Sequence, residues 1–543
     1  MMTQCRWRPA TWVLACLIAT PLGSHQLAAQ AGAAAGAGQP LPPFNAQNAP
    51  PAPPAQEQPE VLTRGPVHEA FAQPVDLQVQ ADVIAPNPPP AMIEEVPPAE
   101  RPLGQQAAWI PGYWSWDADR NSYIWISACW RVAPPGRSWM PGYWARVSTG
   151  WEWVAGFWAP AGVRAIDYLP TPPPVGALEP PGPAPSPNTI WVPPCMYWAQ
   201  GQYVRRAGYW LAAQPNWIWV PSHYVVTPRG CIFAEGHWDY ALENRGVLFA
   251  PVYFPAAVYG RPAFTYSPSI VIDLGLLEVS LFAYPRYSHY YFGDYYDDAY
   301  LRLGIYPWFD SRRLHTWYDP IYEHGRWQHQ RSDPRWENRQ RDDYNHRRAD
   351  RDLRPARTYR EQESRLARLP EPQRRAFQVA QPITVAATRR EAPLKFEQIN
   401  TATRQAISKQ ATTVRTFRDE RNRWESPTVS PKTVAQPAGD RKPAVTPPLR
   451  RTEPPASQER RGTVTAPAAP REPAFVPARK TTLSQPERVH IPAPPMVGRS
   501  AGPGSVQKSP PARPANEDRD RAGKETRKNR ATVTDRDARE NGK

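Results

Sequence analysis

Between residues 107 and 254, aromatic and small residues recur on a spacing that a helix would not give. Nine octets align: AAWIPGYW from 107, YIWISACW from 123, RSWMPGYW from 137, WEWVAGFW from 151, TIWVPPCM from 189, YVRRAGYW from 203, WIWVPSHY from 217, CIFAEGHW from 231 and VLFAPVYF from 247. An aromatic usually holds the third place, a small residue the sixth, and another aromatic the seventh or eighth; most octets start 14 residues apart. Trp, Tyr, Val and Ile favour strands, and eight residues span about 26 Å at strand rise. The connectors end in Gly136, Gly150, Asn216, Gly230 and Gly246, residue types that tolerate the positive φ of a hairpin turn, so each connector is expected to be a tight hairpin. The pattern therefore predicts an all-β fold, an antiparallel β-meander of tandem Trp-rich repeats. Its blocks are 105–160 and 189–256, separated by a Pro-rich linker over 161–188.

Side chains alternate along a strand, so Trp139 and Tyr143 are expected on one face and Trp144 on the other. By the same count Trp144, Trp158 and Trp210 would share a surface opposite Trp139, Trp153 and Trp219. A glycine at the sixth place either admits a neighbouring ring or marks a bulge, and a bulge would reset the alternation. Two uses of the rings follow. They form a core of cross-strand aromatic pairs, or one face stays open and stacks on sugars. The stacking candidates are Trp144, Trp158, Trp210 and Trp238. The residues expected to hold the repeat together are Trp109, Gly112, Trp114, Trp139, Gly142, Trp153, Gly156, Gly208, Trp219 and Gly236.

The octets resemble the bacterial exported repeat family named for its W-x-x-G-x-W, or Y-x-W-G-x-W, signature. The likeness rests on Trp109, Gly112 and Trp114, on Trp139, Gly142 and Trp144, on Trp153, Gly156 and Trp158, and more weakly on Tyr203, Gly208 and Trp210. It covers 107–254 and implies an exported β-repeat, without implying an activity. TIWVPPCM, WIWVPSHY and VLFAPVYF lack the glycine.

The flanks differ in kind. Arg6 and Arg8, an apolar run over 10–22 and the small-residue site Ala29-Gln30-Ala31 read as an export signal over 1–31. Lipidation at Cys16 fits poorly, because the apolar run before it is short. Residues 32–104 read as a Pro/Ala-rich disordered linker, and 257–325 as a Tyr-rich extension. Residues 326–393 read as a charged region of low order. An amphipathic helix, suited to a partner protein, is expected over 394–424, and a basic disordered tail over 425–543. With 71 prolines in 543 residues, less than half of the chain is expected to fold compactly.

Net charge is +15, and residues 432–543 carry 23 Lys and Arg against 12 Asp and Glu. On an exported chain such a tail points to envelope polysaccharide or another anionic surface component rather than to nucleic acid. No segment has the roughly 20 uninterrupted apolar residues of a membrane span. The expected place is periplasm, outer envelope or extracellular space.

Candidate chemistry is sparse. Cys129, Cys195 and Cys231 lie beyond the signal; Cys129 and Cys195 both hold the seventh place, one in each block, and are the disulfide candidate. His223 and His237 hold the seventh place of adjacent octets and should lie at opposite ends of neighbouring strands. His289, His315, His324 and His329 follow no metal-ligand spacing with Asp294, Asp297 and Asp298. Gly498-x-Ser500-x-Gly502 lacks the strand and helix of a nucleophile elbow, prolines standing on both sides. No catalytic residue, metal or cofactor is expected. The reading is a non-catalytic structural or adhesive envelope protein, with a polysaccharide-binding module as the alternative.

Overall fold

The computed structural model describes residues 58–78, 83–104, 106–176, 178–180, 182–330, 332–389, 394–426 and 485–495. About a third of them lie in strands, in many small and mostly antiparallel sheets, and over a quarter lie in helices. The fold is strand-rich, with more helix than the aromatic pattern predicts.

The first eight octets form four hairpins, each with its strand pairing interrupted in the middle. In the first, Ala107–Ile110 pairs with Cys129–Val132 and Tyr113–Asp117 with Ser122–Ile126. The second joins Arg137–Met140 to Phe157–Pro160 and Tyr143–Val147 to Gly150–Val154. In the third, Thr189–Val192 meets Tyr209–Ala212 and Cys195–Ala199 meets Gln202–Arg206. The fourth sets Trp217–Val220 against His237–Tyr240 and His223–Val226 against Cys231–Ala234. One register recurs, the third place of one octet facing the eighth of its partner. Trp109 thus faces Trp130, Trp114 faces Trp125, Trp139 faces Trp158, Trp144 faces Trp153, Trp191 faces Trp210 and Trp219 faces Trp238. These ring pairs have centroids 5.0 to 5.4 Å apart, tilted or edge-on as aromatic pairs prefer.

Each interruption falls at places five and six. Pro111, Pro141, Pro193 and Pro221 hold place five in the first octet of each hairpin. Proline has no N–H for a ladder, so pairing lapses there and resumes beyond. The lapse resets the alternation and overturns the two-surface assignment. Trp139 and Trp158 are directly opposed, as are Trp144 and Trp153, and opposed residues share a face.

The hairpins do not line up as a meander: among the described residues no strand of one pairs with a strand of the next. The ninth octet joins the first hairpin, with Gly246–Leu248 on Cys129–Val132 and Val252 on Trp125. The boundary between the two expected blocks is not kept there.

Residues 58–78 and 83–104, read from composition as part of a spacer, run as a strap against the hairpins. Gly65–Pro66 pairs with Tyr291 and Phe292, Ile84–Ala85 pairs with Trp151 and Glu152, and Val67 and Phe71 are fully buried. Proline and alanine make a segment a poor core by itself, but here the neighbours bury it. Residues 332–389, from the region expected to have low order, are likewise structured. They contain the helices Trp336–Ala349 and Tyr359–Leu366, the latter started by a capping box of Thr358 and Glu361. From the 257–325 extension Phe282, Tyr287, Tyr290 and Phe292 enter the core.

The helix expected over 394–424 spans Thr401–Glu425, and the Asn400 side chain accepts the Thr403 N–H at its start. Its apolar stripe, with Ala411, Val414 and Phe417 buried, packs on Ala107–Ile110 and Tyr143–Val147. That face is covered by its own chain. Farther along, Glu487–His490 leaves the expected disordered tail to pair with Ala165–Leu169, inside the expected linker. The proposed signal segment, Cys16, Ser500 and most of the basic tail lie outside the described residues.

Candidate functional site

Where a hairpin's pairing is interrupted, the place-six N–H and the place-five carbonyl lose their ladder partners, and buried backbone groups need others. At the second hairpin the Gly142 and Gly156 N–H groups donate to the two carboxylate oxygens of Glu69, each at 3.0 Å, and Trp153 Nε1 donates at 3.3 Å. On the other side Arg421 donates to the Pro141 and Ala155 carbonyls at 2.9 and 3.0 Å. Arg421 also donates to Glu425 at 2.9 Å, and Glu425 accepts the Tyr143 and Tyr168 hydroxyls. The interrupted stretch is thus held between a carboxylate from the strap and a guanidinium from the 401–425 helix.

The first hairpin repeats the device with Glu95, which accepts the Gly112 N–H at 2.9 Å and the Ala128 N–H at 3.0 Å. In the fourth, the Ser222 hydroxyl accepts the Gly236 N–H at 2.9 Å. These contacts explain the glycine of the signature. A Cβ on Gly142 would stand 2.5 Å from Trp153 Cζ2 and 2.6 Å from Glu69 Oε1; one on Gly156 would stand 2.4 Å from Trp139 Cζ2. Gly208 and Gly236 make the same space for Trp191 and Trp219.

Burial pushes the Glu69 carboxyl up to about 7, against the N–H groups of Gly156 and Gly142 and the charge of Arg421. Glu95 is raised by burial too. Burial lowers His68 to about 4 and His289 to about 3, so both are neutral near pH 7. His289 Nδ1 lies 2.6 Å from the Tyr287 carbonyl and can only donate to it. Nε2 therefore accepts the Tyr113 hydroxyl at 2.7 Å, and that hydroxyl accepts the Glu69 N–H. The constellation has the residue types of acid–base chemistry, but all four side chains are buried and the space touching Glu69 is about 30 Å³. That is room for a water, not a substrate.

The same small cavity is lined by both His223 and His237, which strand geometry was expected to keep apart. Each turns Nδ1 toward the carbonyl two residues earlier, Pro221 at 3.0 Å and Glu235 at 3.2 Å. Asp239 beside them is buried between Arg131 and Arg245, whose charges outweigh its desolvation and hold its carboxyl low. Asp294 and Asp297 are taken by Arg354 and Arg357. Among the described residues no group of three or more His, Cys, Asp and Glu side chains could hold a metal ion.

The stacking candidates divide. Trp144 and Trp158 are buried, Trp144 donating to the Trp114 carbonyl at 2.8 Å and Trp158 lying under the Arg131 guanidinium. Neither offers a ring to solvent. Trp210 and Trp238 are half-buried. Of the repeat-structural set Trp109, Trp114, Trp139 and Trp153 are core, while Trp219 is half-buried. Half-buried rings gather on the third and fourth hairpins, where the helix Pro320–His329 packs on Trp217–Val220 and Thr189–Val192, and they include residues not among the stacking candidates. Trp198 and Tyr203 meet edge-on at 4.9 Å, Trp217 and Tyr240 stack at 4.6 Å, and Arg206 lies between Tyr197 and Tyr209. One signal was present: the sixth octet carries Arg205 at the third place, where a core would demand an aromatic.

Cys129, Cys195 and Cys231 are free thiols, so the Cys129–Cys195 staple is not made. Cys129 is tied into the first hairpin against Ile110 and Leu248, whereas Cys195 pairs with Arg206 in the third. Among the described residues no helix is long and apolar enough to cross a membrane. No known family model, curated protein or solved structure matches the chain.

Proposed function

We propose that this is an exported, non-catalytic structural or adhesive protein of the bacterial envelope, a member of the W-x-x-G-x-W repeat group. The observation that carries the reading is where its chemistry is placed. The Glu69, His68, Tyr113 and His289 cluster is sealed inside the hairpin core, while half-buried aromatic side chains, with Arg205 and Arg206 beside them, gather on the third and fourth hairpins. Sealed polar groups of this kind hold backbone together, and partly exposed rings are suited to contact. The basic tail adds attraction to anionic envelope material.

The test is adsorption of the full chain to purified envelope polysaccharide, with the supernatant assayed for released fragments. The reading expects retention without release of soluble sugar or peptide; fragment release would establish an enzyme instead. A second reading, a polysaccharide-binding module, is favoured by the half-buried rings of Trp198, Tyr203, Trp210, Trp217 and Trp238. It expects retention to survive 0.5 M salt and to fall when Trp198 and Tyr203 are replaced by Ala. Retention through the basic tail alone would disappear in salt, because exposed charges are screened over about 8 Å already at 0.15 M.

A further inference from the structure

The strand Glu487–His490 is the outermost of a four-stranded sheet that runs His223–Val226, Cys231–Ala234, Ala165–Leu169, Glu487–His490. It pairs antiparallel with Ala165–Leu169 in a defined register: Ala165 against His490, Ile166 against Val489, Asp167 against Arg488 and Tyr168 against Glu487. Charge fits along the seam. Arg488 forms a two-pronged ion pair with Asp167 at 2.6 and 2.7 Å, and Arg229 holds Glu487 in the same manner. Past the strand, the Ile491 N–H donates to the Arg164 carbonyl at 2.9 Å and the Ile491 side chain is buried. This is a docking site with backbone, charge and apolar components.

The strand does not reach its site by a short turn. Residues 427–484 separate it from the 401–425 helix, and a segment of that length spans up to roughly 190 Å when fully extended. The acceptor edge itself comes from a different part of the chain, the stretch between the second and third hairpins. An element that completes a sheet edge from so far along the chain fits a neighbour's edge as well as its own. Exchange between copies makes identical contacts and therefore meets little energetic opposition. An empty edge is in turn a template for strand addition.

We propose that the Ala165–Leu169 edge is a strand-exchange site joining copies of this chain, each copy inserting its Glu487–His490 strand into the edge of another. The length of chain between the 401–425 helix and the strand allows the same strand to close on its own edge at low concentration and to bridge to a neighbour at high concentration. Reciprocal exchange gives closed dimers. One-way donation gives open chains, which suits a protein crowded at an envelope surface.

The experiment uses full chains. One preparation carries Asp167→Cys, a second and differently tagged preparation carries Arg488→Cys, and a third carries both; the two positions lie directly opposite, within disulfide reach. After mixing, incubation and oxidation, peptide mapping reads which cysteines have joined. Expected are an internal 167–488 disulfide in the double variant at low concentration and a disulfide between the two tags in the mixture, its yield rising at least several-fold as concentration is raised tenfold. An internal bond in the double variant with no bond between mixed chains at any concentration confines the strand to its own copy and overturns the proposal. Absence of both bonds would mean that the seam does not form, which overturns it too.

Discussion

The indole of Trp139 occupies the place where a side chain on Gly156 would stand, 2.4 Å from an ideal Cβ. The reciprocal contact, Gly142 under Trp153, comes from the same hairpin, and both glycines give their N–H groups to Glu69. A motif that reads as W-x-x-G-x-W along one strand is thus satisfied across two, the glycine of one octet serving the tryptophan of its partner.

Gly142→Ala and Gly156→Ala should therefore each destabilise the chain by about 1–3 kcal/mol, the cost of overpacking a core. Gly182→Ala, where a Cβ meets nothing within 4 Å, should stay within about 0.5 kcal/mol of the parent. Urea unfolding at neutral pH separates the two outcomes. Equal effects at buried and open glycines would contradict the packing described for the interruptions.

Glu69 predicts a pH dependence whose sign follows from its raised value. An acid that titrates near 4.5 when unfolded and near 7 when folded is protonated more readily in the native state. Its contribution is greatest below 4.5 and is lost as pH rises to about 7. The loss amounts to about 3 kcal/mol. His68 and His289, both lowered, act in the opposite sense as pH falls below 6.5, so raw stability curves mix the effects. The difference between parent and Glu69→Gln isolates one group: between pH 4.5 and 7 it should move in favour of the variant. A difference that does not change with pH would count against a buried, titrating Glu69.

The two classes of tryptophan should separate in stability. Trp144→Ala and Trp158→Ala remove buried rings and should cost about 3–5 kcal/mol each. Trp198→Ala, on the half-buried face, should cost about 1 kcal/mol or less while weakening retention on polysaccharide. Circular dichroism melts and a sedimentation binding assay report the two properties independently. A Trp198→Ala chain that unfolds would make that ring core and remove support from the binding reading.

Thiol reactivity should follow exposure. Burial pushes the Cys195 and Cys231 thiols up to about 12 and Cys129 higher still, so none is a strong nucleophile. Cys195 alone of the three is half-buried. Alkylation with iodoacetamide under native conditions should label Cys195 slowly, and Cys129 and Cys231 only after denaturation. Recovery of a Cys129–Cys195 disulfide from the native protein would reverse the assignment.

Much of the local structure is legible without coordinates. Aromatic spacing marks the hairpin arms, and Gly136, Gly150, Asn216 and Gly246 adopt positive φ as expected, but Gly230 does not, and Gly136 and Asn216 lie in connectors between separate hairpins rather than in hairpin turns. The apolar positions Val414 and Phe417 lie on the buried stripe of the 401–425 helix, whereas Phe396, expected in the same helix, is in the strand Phe396–Gln398 paired with Glu100–Pro102. The features that agree depend on neighbours within a few residues, which a sequence displays directly. What it does not display is which face of a hairpin will be covered. Trp144 and Trp198 are both tryptophans in strands of this region, yet one is core and the other half open.

The sequence by itself determined the strand-forming octets, because strand propensity is short-range, but not which connectors would be hairpin turns or which rings would face each other. Only the tertiary structure decided that residues 58–78 and 83–104 would be a strap rather than a spacer, since Glu69 and Glu95 find their partners at Gly142, Gly156, Gly112 and Ala128. The interruptions leave backbone N–H groups buried and unpaired, and a carboxylate far away in the chain is the group that satisfies them. No local composition records such a partner, because the need for it arises only when the hairpins are folded and packed.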